Sequence, residues 1–196
     1  MDVTLVILAV LVAAFVLYWI PVRGWYRRSE ARRVAPARAM SGDADLVAPD
    51  YESTLTITIG ARPADVWPRL LEMGRPAATR QHPAAGADPV PGDVMRFRYA
   101  PAFPVQSIDP GRTLVLGDGP GLLQWRWQFE VYAVDVGRTR LLSRIRIRSG
   151  RSPSSRLVAL ALRPIAFVIT RKMLFDVQRR AERGKADDMG PLRAAI

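Results

Sequence analysis

The chain contains no cysteine and no asparagine, a single histidine (His82) and only two lysines, Lys172 and Lys185. The missing thiols exclude disulfides and thiolate catalysis, and with one histidine they also exclude a His/Cys metal cluster. The missing asparagine excludes N-glycosylation. Acids are scarce as well: 18 Asp and Glu face 29 Lys and Arg, a formal net charge of +11 carried almost wholly by arginine. Six of those arginines and two acids lie in residues 1–40, so the remainder keeps 23 basic against 16 acidic side chains, a net of +7. A balance of that sign favours anionic surfaces, either lipid headgroups or nucleic acid. No cofactor motif stands out. The glycines of 117–121 are not followed by a Lys-Ser/Thr pair and lead into a strand, which makes them a hairpin turn rather than a phosphate cradle.

What the chain does have begins at its N-terminus. From Val3 to Ile20 every residue is apolar or weakly polar, and an 18-residue helix spans about 27 Å, enough for the hydrocarbon core. Trp19, Trp25 and Tyr26 follow at its end, where aromatic rings favour the membrane interface. Arg23, Arg27, Arg28, Arg32, Arg33 and Arg38 come next against one acid, Glu30, whereas the N-terminal flank carries Asp2 and no basic side chain. The positive-inside bias then predicts a single-pass anchor in the cell membrane over residues 3–20, with residue 1 outside and the rest cytoplasmic. Arg23, Trp25, Tyr26, Arg27, Arg28, Arg32 and Arg33 are the residues expected at the membrane surface. A cleaved secretory signal would need a basic n-region before the apolar run, and here the order of charge is reversed.

Residues 21–50 read as a basic juxtamembrane segment and an Ala/Pro/Gly/Asp-rich linker. About 145 residues remain, which suits one domain, expected over 51–184. Leu55, Ile57 and Ile59 alternate with threonines and predict a strand from Tyr51 to Ile59; Pro63 opens a short helix running to about Met73, in which Pro68 should cause a bend. Gly74 to Gly92, with four prolines, reads as loop. Strands follow at Val94–Tyr99, Val105–Asp109 and Thr113–Leu116. Trp125, Trp127, Phe129 and Val131 share one strand face, opposite Arg126, Gln128 and Glu130. After a turn at 135–138, Leu141, Ser143, Ile145 and Ile147 lie opposite Arg140, Arg144, Arg146 and Arg148. Charge and packing both suggest a hairpin register with Glu130 opposite Arg144 and Phe129 beside Ile145. From Pro153 the chain reads as helix to about Arg183, kinked at Pro164 and stopped by Gly184, with a flexible tail over 185–196. Leu162, Ala166, Ile169, Met173 and Val177 form its inward stripe. Leu157 to Ile169 is apolar, but thirteen residues with an internal arginine and proline are too few for a second span.

This order of strand, short helix, antiparallel strands and long C-terminal helix resembles the SRPBCC or START-like superfamily, the helix-grip fold of polyketide cyclase and lipid-transfer type proteins. The resemblance is carried by Ile57-Thr58-Ile59-Gly60-Ala61-Arg62-Pro63-Ala64-Asp65-Val66-Trp67-Pro68 and Leu71-Glu72-Met73-Gly74. It continues in Phe103-Pro104-Val105, Trp127-Gln128-Phe129, Gly137-Arg138-Thr139-Arg140-Leu141, Arg163-Pro164-Ile165-Ala166-Phe167-Val168 and Arg171-Lys172-Met173-Leu174, within residues 51–183. It implies an α+β fold in which an antiparallel sheet wraps the last helix and encloses an apolar cavity for a hydrophobic small molecule or lipid. The chain departs from the pattern between Met73 and Val94, where a proline-rich loop replaces an aromatic-rich helical segment.

Three functions are open at this level. A non-enzymatic, membrane-tethered binding module would line its cavity with Phe97, Tyr99, Trp125, Trp127, Phe129 and Met173, although such rings at strand period also simply fill cores. A cyclase or hydratase type enzyme would draw on Ser107, Asp109, Ser143 or His82, but no nucleophile–base–orienter set is visible and no catalytic residue is assigned. An interaction module would dock Arg140, Arg144, Arg146 and Arg148 on anionic headgroups or an acidic partner; few aromatics beside them speaks against specific nucleic-acid reading. No metal and no cofactor is expected.

Overall fold

The computed structural model describes residues 40–76, 88–97, 102–117, 123–150 and 152–193. The anchor expected over 3–20 and the seven membrane-surface residues from Arg23 to Arg33 therefore lie outside the described residues, as do His82 and Tyr99. Among the described residues no helix is long and apolar enough to cross a membrane.

The first strand, β1, is Tyr51–Ile59, and the short helix, α1, is Pro63–Met73, both at the predicted bounds. Pro63 sits in the first turn, where its missing N–H costs nothing, and the Asp65 carboxylate accepts the Arg62 N–H at 3.3 Å. α1 buries Val66, Trp67 and Leu70, and Trp67 Nε1 donates to Asp88 at 3.0 Å. There follow β2 (Gly74–Pro76), β3 (Val94–Phe97), β4 (Ala102–Asp109), β5 (Thr113–Gly117), β6 (Leu123–Asp135), β7 (Arg138–Ser149) and the helix α2 (Pro153–Arg193). The strands form one antiparallel sheet in the order β1-β7-β6-β5-β4-β3-β2. A sheet of this kind with one long C-terminal helix is the helix-grip α+β arrangement. Its core gathers the inner residues of the strands, among them Ile59, Leu114, Leu116, Phe129 and Leu141, beneath Met173, Leu174 and Val177 of α2 and Trp67 of α1.

α2 opens on Pro153, with Ser152 Oγ accepting the Ser155 N–H at 3.2 Å as an N-cap. It leans on β1, β7 and α1 and runs alongside β1 in the same direction. Arg163 donates to the Asp50 carbonyl at 3.2 Å, Gln178 to the Thr58 carbonyl at 3.4 Å, and the Gly60 N–H donates to Glu182 at 3.0 Å.

Four expectations are corrected. The β6–β7 register places Trp127 opposite Ile145, Phe129 opposite Ser143 and Gln128, not Glu130, opposite Arg144. The turn decides this: Val136-Gly137 alone link Asp135 to Arg138, Gly137 taking φ +70°, and the register shifts between Ala133 and Asp135. The two-residue offset keeps every side chain on its predicted face.

The predicted linker up to residue 50 is seated on the sheet from Met40 onward. Met40 and Leu46 are buried, as are Val115 and Leu142 on the outer faces of β5 and β7. The residues from Met40 to Asp50 therefore pack with the strands that follow. Gly42 lets this strap lie flat: its φ is +87°, and a Cβ there would stand 3.0 Å from Val115 Cγ1. Gly42→Ala is expected to cost about 1–2 kcal/mol in chemical denaturation, because both the backbone and the space oppose it.

The arginine face is the third correction. Arg144 and Arg146 do point outward, but the strap and β1 take them up. Arg144 Nη1 bonds Asp43 at 2.6 Å and its Nε bonds Thr54 at 3.1 Å. Arg146 bonds Glu52 at 2.9 Å and the Asp43 carbonyl at 2.7 Å. These two guanidiniums are held by groups of the domain itself. Finally, α2 passes through Gly184 to Arg193 in place of a stop and a tail. One glycine costs a helix about 1 kcal/mol, too little to end it by itself.

Candidate functional site

The candidate site is the inner face of the sheet where it meets α2. Phe97, Trp127 and Phe129 are buried there, Trp125 is half-buried, and Met173 comes down from α2. The rings touch one another. Trp127 lies 5.2 Å from Phe97, 5.5 Å from Phe103 and 5.1 Å from Phe129 between centroids, and Phe103 meets Trp125 edge-on at 4.0 Å. The three Trp127 distances are those of packed aromatic pairs. Trp127, Phe129 and Phe97 thus form a solid wall, and Phe103, which the sequence reading left out of the site, belongs to it.

Apolar surface stays partly open beside that wall. Leu71 and Met73 of α1, Ile108, Leu123 and Trp125 of the strands, and Ala166 and Ile169 of α2 pack on the core while only half-buried. At 100° per residue, Ile169 falls about 120° and 180° around α2 from Arg163 and Gln178, the residues that bind the β1 backbone, and Ala166 about 60° and 120°. Both pack against the core that contains the rings, so α2, α1 and the strands each bring half-buried apolar side chains to it.

Polar groups inside are few and particular. Trp127 Nε1 donates to Ser143 Oγ at 2.8 Å, so Ser143 is already engaged. Thr139 Oγ1 donates to the Ala61 carbonyl at 2.6 Å. Ser53 and Thr170 are buried, at 6% and 2% exposure, and neither hydroxyl has a hydrogen-bond partner in the protein. Counted along α2 and β1 from the three bonds that join them, they stand within about 5 Å of one level. Thr170 is seven residues beyond Arg163, about 10 Å of helix rise, and Ser53 is three residues beyond Asp50, about 10 Å of strand; Arg163 and Asp50 are bonded to each other. Ser53 shares the inner face of β1 with Tyr51, Leu55 and Ile57, so both hydroxyls lie in the helix–sheet interface. Burying such a group unpaired costs about 1–3 kcal/mol, which is the cost a ligand's polar atom would relieve.

Of the residues considered for catalysis, the three that are described do not converge. Ser107 and Asp109 lie exposed along β4, while Ser143 is buried under Trp127. Among the described residues no group of His, Cys, Asp and Glu is placed to hold a metal ion. Ser53 and Thr170 escaped the sequence reading, though each left a trace. Ser53 interrupts an otherwise apolar inner face, and Thr170 falls between Ala166 and Met173 in the inward stripe.

No protein-family model matches the chain, and no curated protein matches it. Solved structures do. A hypothetical protein from Helicobacter pylori aligns over 76% of this chain and 98% of its own length at 10% identity, with a TM-score of 0.53. A protein from Thermobifida fusca aligns over 67% and 93% at 17% identity and 0.48. The Zhui aromatase/cyclase from a Streptomyces species aligns over 71% and 94% at 14% identity and 0.44. At these identities the likeness is one of fold.

Proposed function

We propose that the chain is a membrane-tethered, START-like domain of the SRPBCC type that binds an amphiphilic, largely hydrophobic small molecule or lipid without transforming it. The observation that carries this reading is the pair of buried, unpartnered hydroxyls, Ser53 and Thr170, in an otherwise apolar interface. An apolar ligand body would lie against the rings, and one oxygen or amide of its polar end would bond the hydroxyls. The tether is the apolar run from Val3 to Ile20, followed by its arginines and aromatic residues.

The test is lipid analysis by mass spectrometry of the full chain extracted in detergent, alongside Ser53→Ala and Thr170→Val. Each variant removes an unpaired polar atom, so stability without ligand is expected to hold or to rise by up to about 1 kcal/mol. Ligand affinity is expected to fall about fivefold per hydroxyl, the equivalent of one hydrogen bond of about 1 kcal/mol. Unchanged occupancy in the double variant, or an extracted chain carrying no small molecule, would refute the reading.

A further inference from the structure

The outward face of α2 carries an anomaly. Leu157, Val158, Leu160, Leu162, Ile165 and Val168 are all substantially exposed, Leu157 to 67%. At 100° per residue Leu157, Leu160, Ile165 and Val168 fall on one side of the helix, opposite the stripe of Ala159, Ala166, Thr170 and Met173 that packs inward. Between Leu157 and Ile169 α2 is therefore apolar on its outer as well as its inner side, which a helix needs only when both sides are covered.

Charge narrows what covers the outer side. Between Asp135 and Asp176 the sequence has no acidic residue, and at 100° per residue Arg156 comes to one border of the apolar face while Arg171 and Lys172 fall at its C-terminal end. A second copy laid on this face would set those cations against their counterparts. An apolar strip rimmed by basic side chains instead matches the headgroup–acyl boundary of an anionic bilayer, into which such faces sink. We infer that the first half of α2 docks by this face on the surface of an anionic lipid bilayer. The inference rests on the tether proposed above, because the twenty residues from Ile20 to Met40 reach at most about 70 Å and so keep the domain beside the membrane at high effective concentration. A domain lying on α2 would also bring the half-buried Ala166 and Ile169 close to the lipid from which an apolar ligand comes.

The chain has no native cysteine, so a single label can be placed cleanly. The full chain carrying Leu160→Cys, labelled with an environment-sensitive fluorophore, is reconstituted into vesicles of equimolar phosphatidylcholine and phosphatidylglycerol containing a doxyl-labelled lipid. Val136→Cys, in the exposed β6–β7 turn, is the reference. The Leu160 label is expected to be quenched by the lipid severalfold more than the Val136 label. That difference should shrink in pure phosphatidylcholine, at high salt, and in the triple variant Leu157→Glu, Ile165→Glu and Val168→Glu, whose sites are exposed and leave the core intact. Equal quenching at both positions, with aqueous iodide reaching both while the chain still floats with vesicles after an alkaline wash, overturns the docking and leaves the tether standing. Selective quenching at Leu160 in a chain that the wash releases supports the docking and removes the tether. Self-quenching that grows with protein density and is blind to the doxyl lipid assigns the face to a second copy and overturns the inference.

Discussion

Trp127→Ala is expected to lower unfolding free energy by about 4 kcal/mol, within the range for truncating a large ring in a packed core. Trp127 is 3% exposed and in contact with Phe97, Phe103 and Phe129, so its removal leaves a cavity bounded by three rings that cannot all collapse into it. The same change strands the Ser143 hydroxyl, which now accepts the indole N–H at 2.8 Å. An unpaired hydroxyl at that depth adds to the loss of contact area. With total stability ordinarily about 5–15 kcal/mol, the variant stands close to the threshold of folding. Urea unfolding followed by ring fluorescence and by circular dichroism measures it. Val136→Ala, at 98% exposure in the β6–β7 turn, provides the contrast and is expected to change stability by less than about 0.5 kcal/mol. A loss below 1 kcal/mol at Trp127 would mean that the ring cluster does not hold the sheet to α2.

That prediction draws on the part of the fold legible in the sequence. A period of two, with rings on one side and charges on the other, fixed the inner face of β6 and β7 in advance, and the bounds of β1 and α1 followed from alternation and from Pro63. What stayed hidden depends on groups remote in sequence. The strap over residues 40–46 is poor in apolar residues, and Met40 and Leu46 become buried only once it lies on the folded sheet, where Gly42 meets Val115. The acids that pair with Arg144 come from positions 43 and 52, so an arginine row that looks solvated in one strand is half neutralised once β1 and the strap lie beside it. Register was lost for a related reason. Complementary charges admitted a pairing that a two-residue turn and its neighbouring bulge rule out. The aromatic wall of the site could be read from the strands, while the hydroxyls of Ser53 and Thr170 acquire meaning only when helix and strand are packed together.

The second large effect belongs to the strap. Arg144→Met is expected to cost about 2–3 kcal/mol at neutral pH. The Arg144 side chain is 6% exposed, and its removal leaves the Asp43 carboxylate, now bonded at 2.6 Å, without its main partner on the outer face of β7. Breaking a fully buried pair from one side costs about 3–5 kcal/mol. Asp43 and Glu52 keep 23% and 38% of their side-chain surface in water, which screens part of that loss. The acid side of the stability curve provides an independent check. Burial pushes the Asp43 carboxyl up, but the Met40 amide, then the Arg144 charge and its hydrogen bond, outweigh burial and hold it below the usual carboxylate range. Asp50, at the other end of the strap, is lowered by the hydroxyl and amide of Ser149. A carboxyl lowered in the folded state contributes fully above its unfolded value, about pH 4, and loses the contribution as pH falls through the folded one. The gap between wild type and Arg144→Met is therefore expected to be widest near pH 7 and to narrow below about pH 4, as Asp43 takes up its proton. A gap that persists unchanged into acid would assign the loss to the packing of the arginine stem rather than to its charge. Limited proteolysis separates the two in space, since loss of the ion pair should expose the backbone around Met40 and Leu46 to cleavage while the β6–β7 hairpin stays protected.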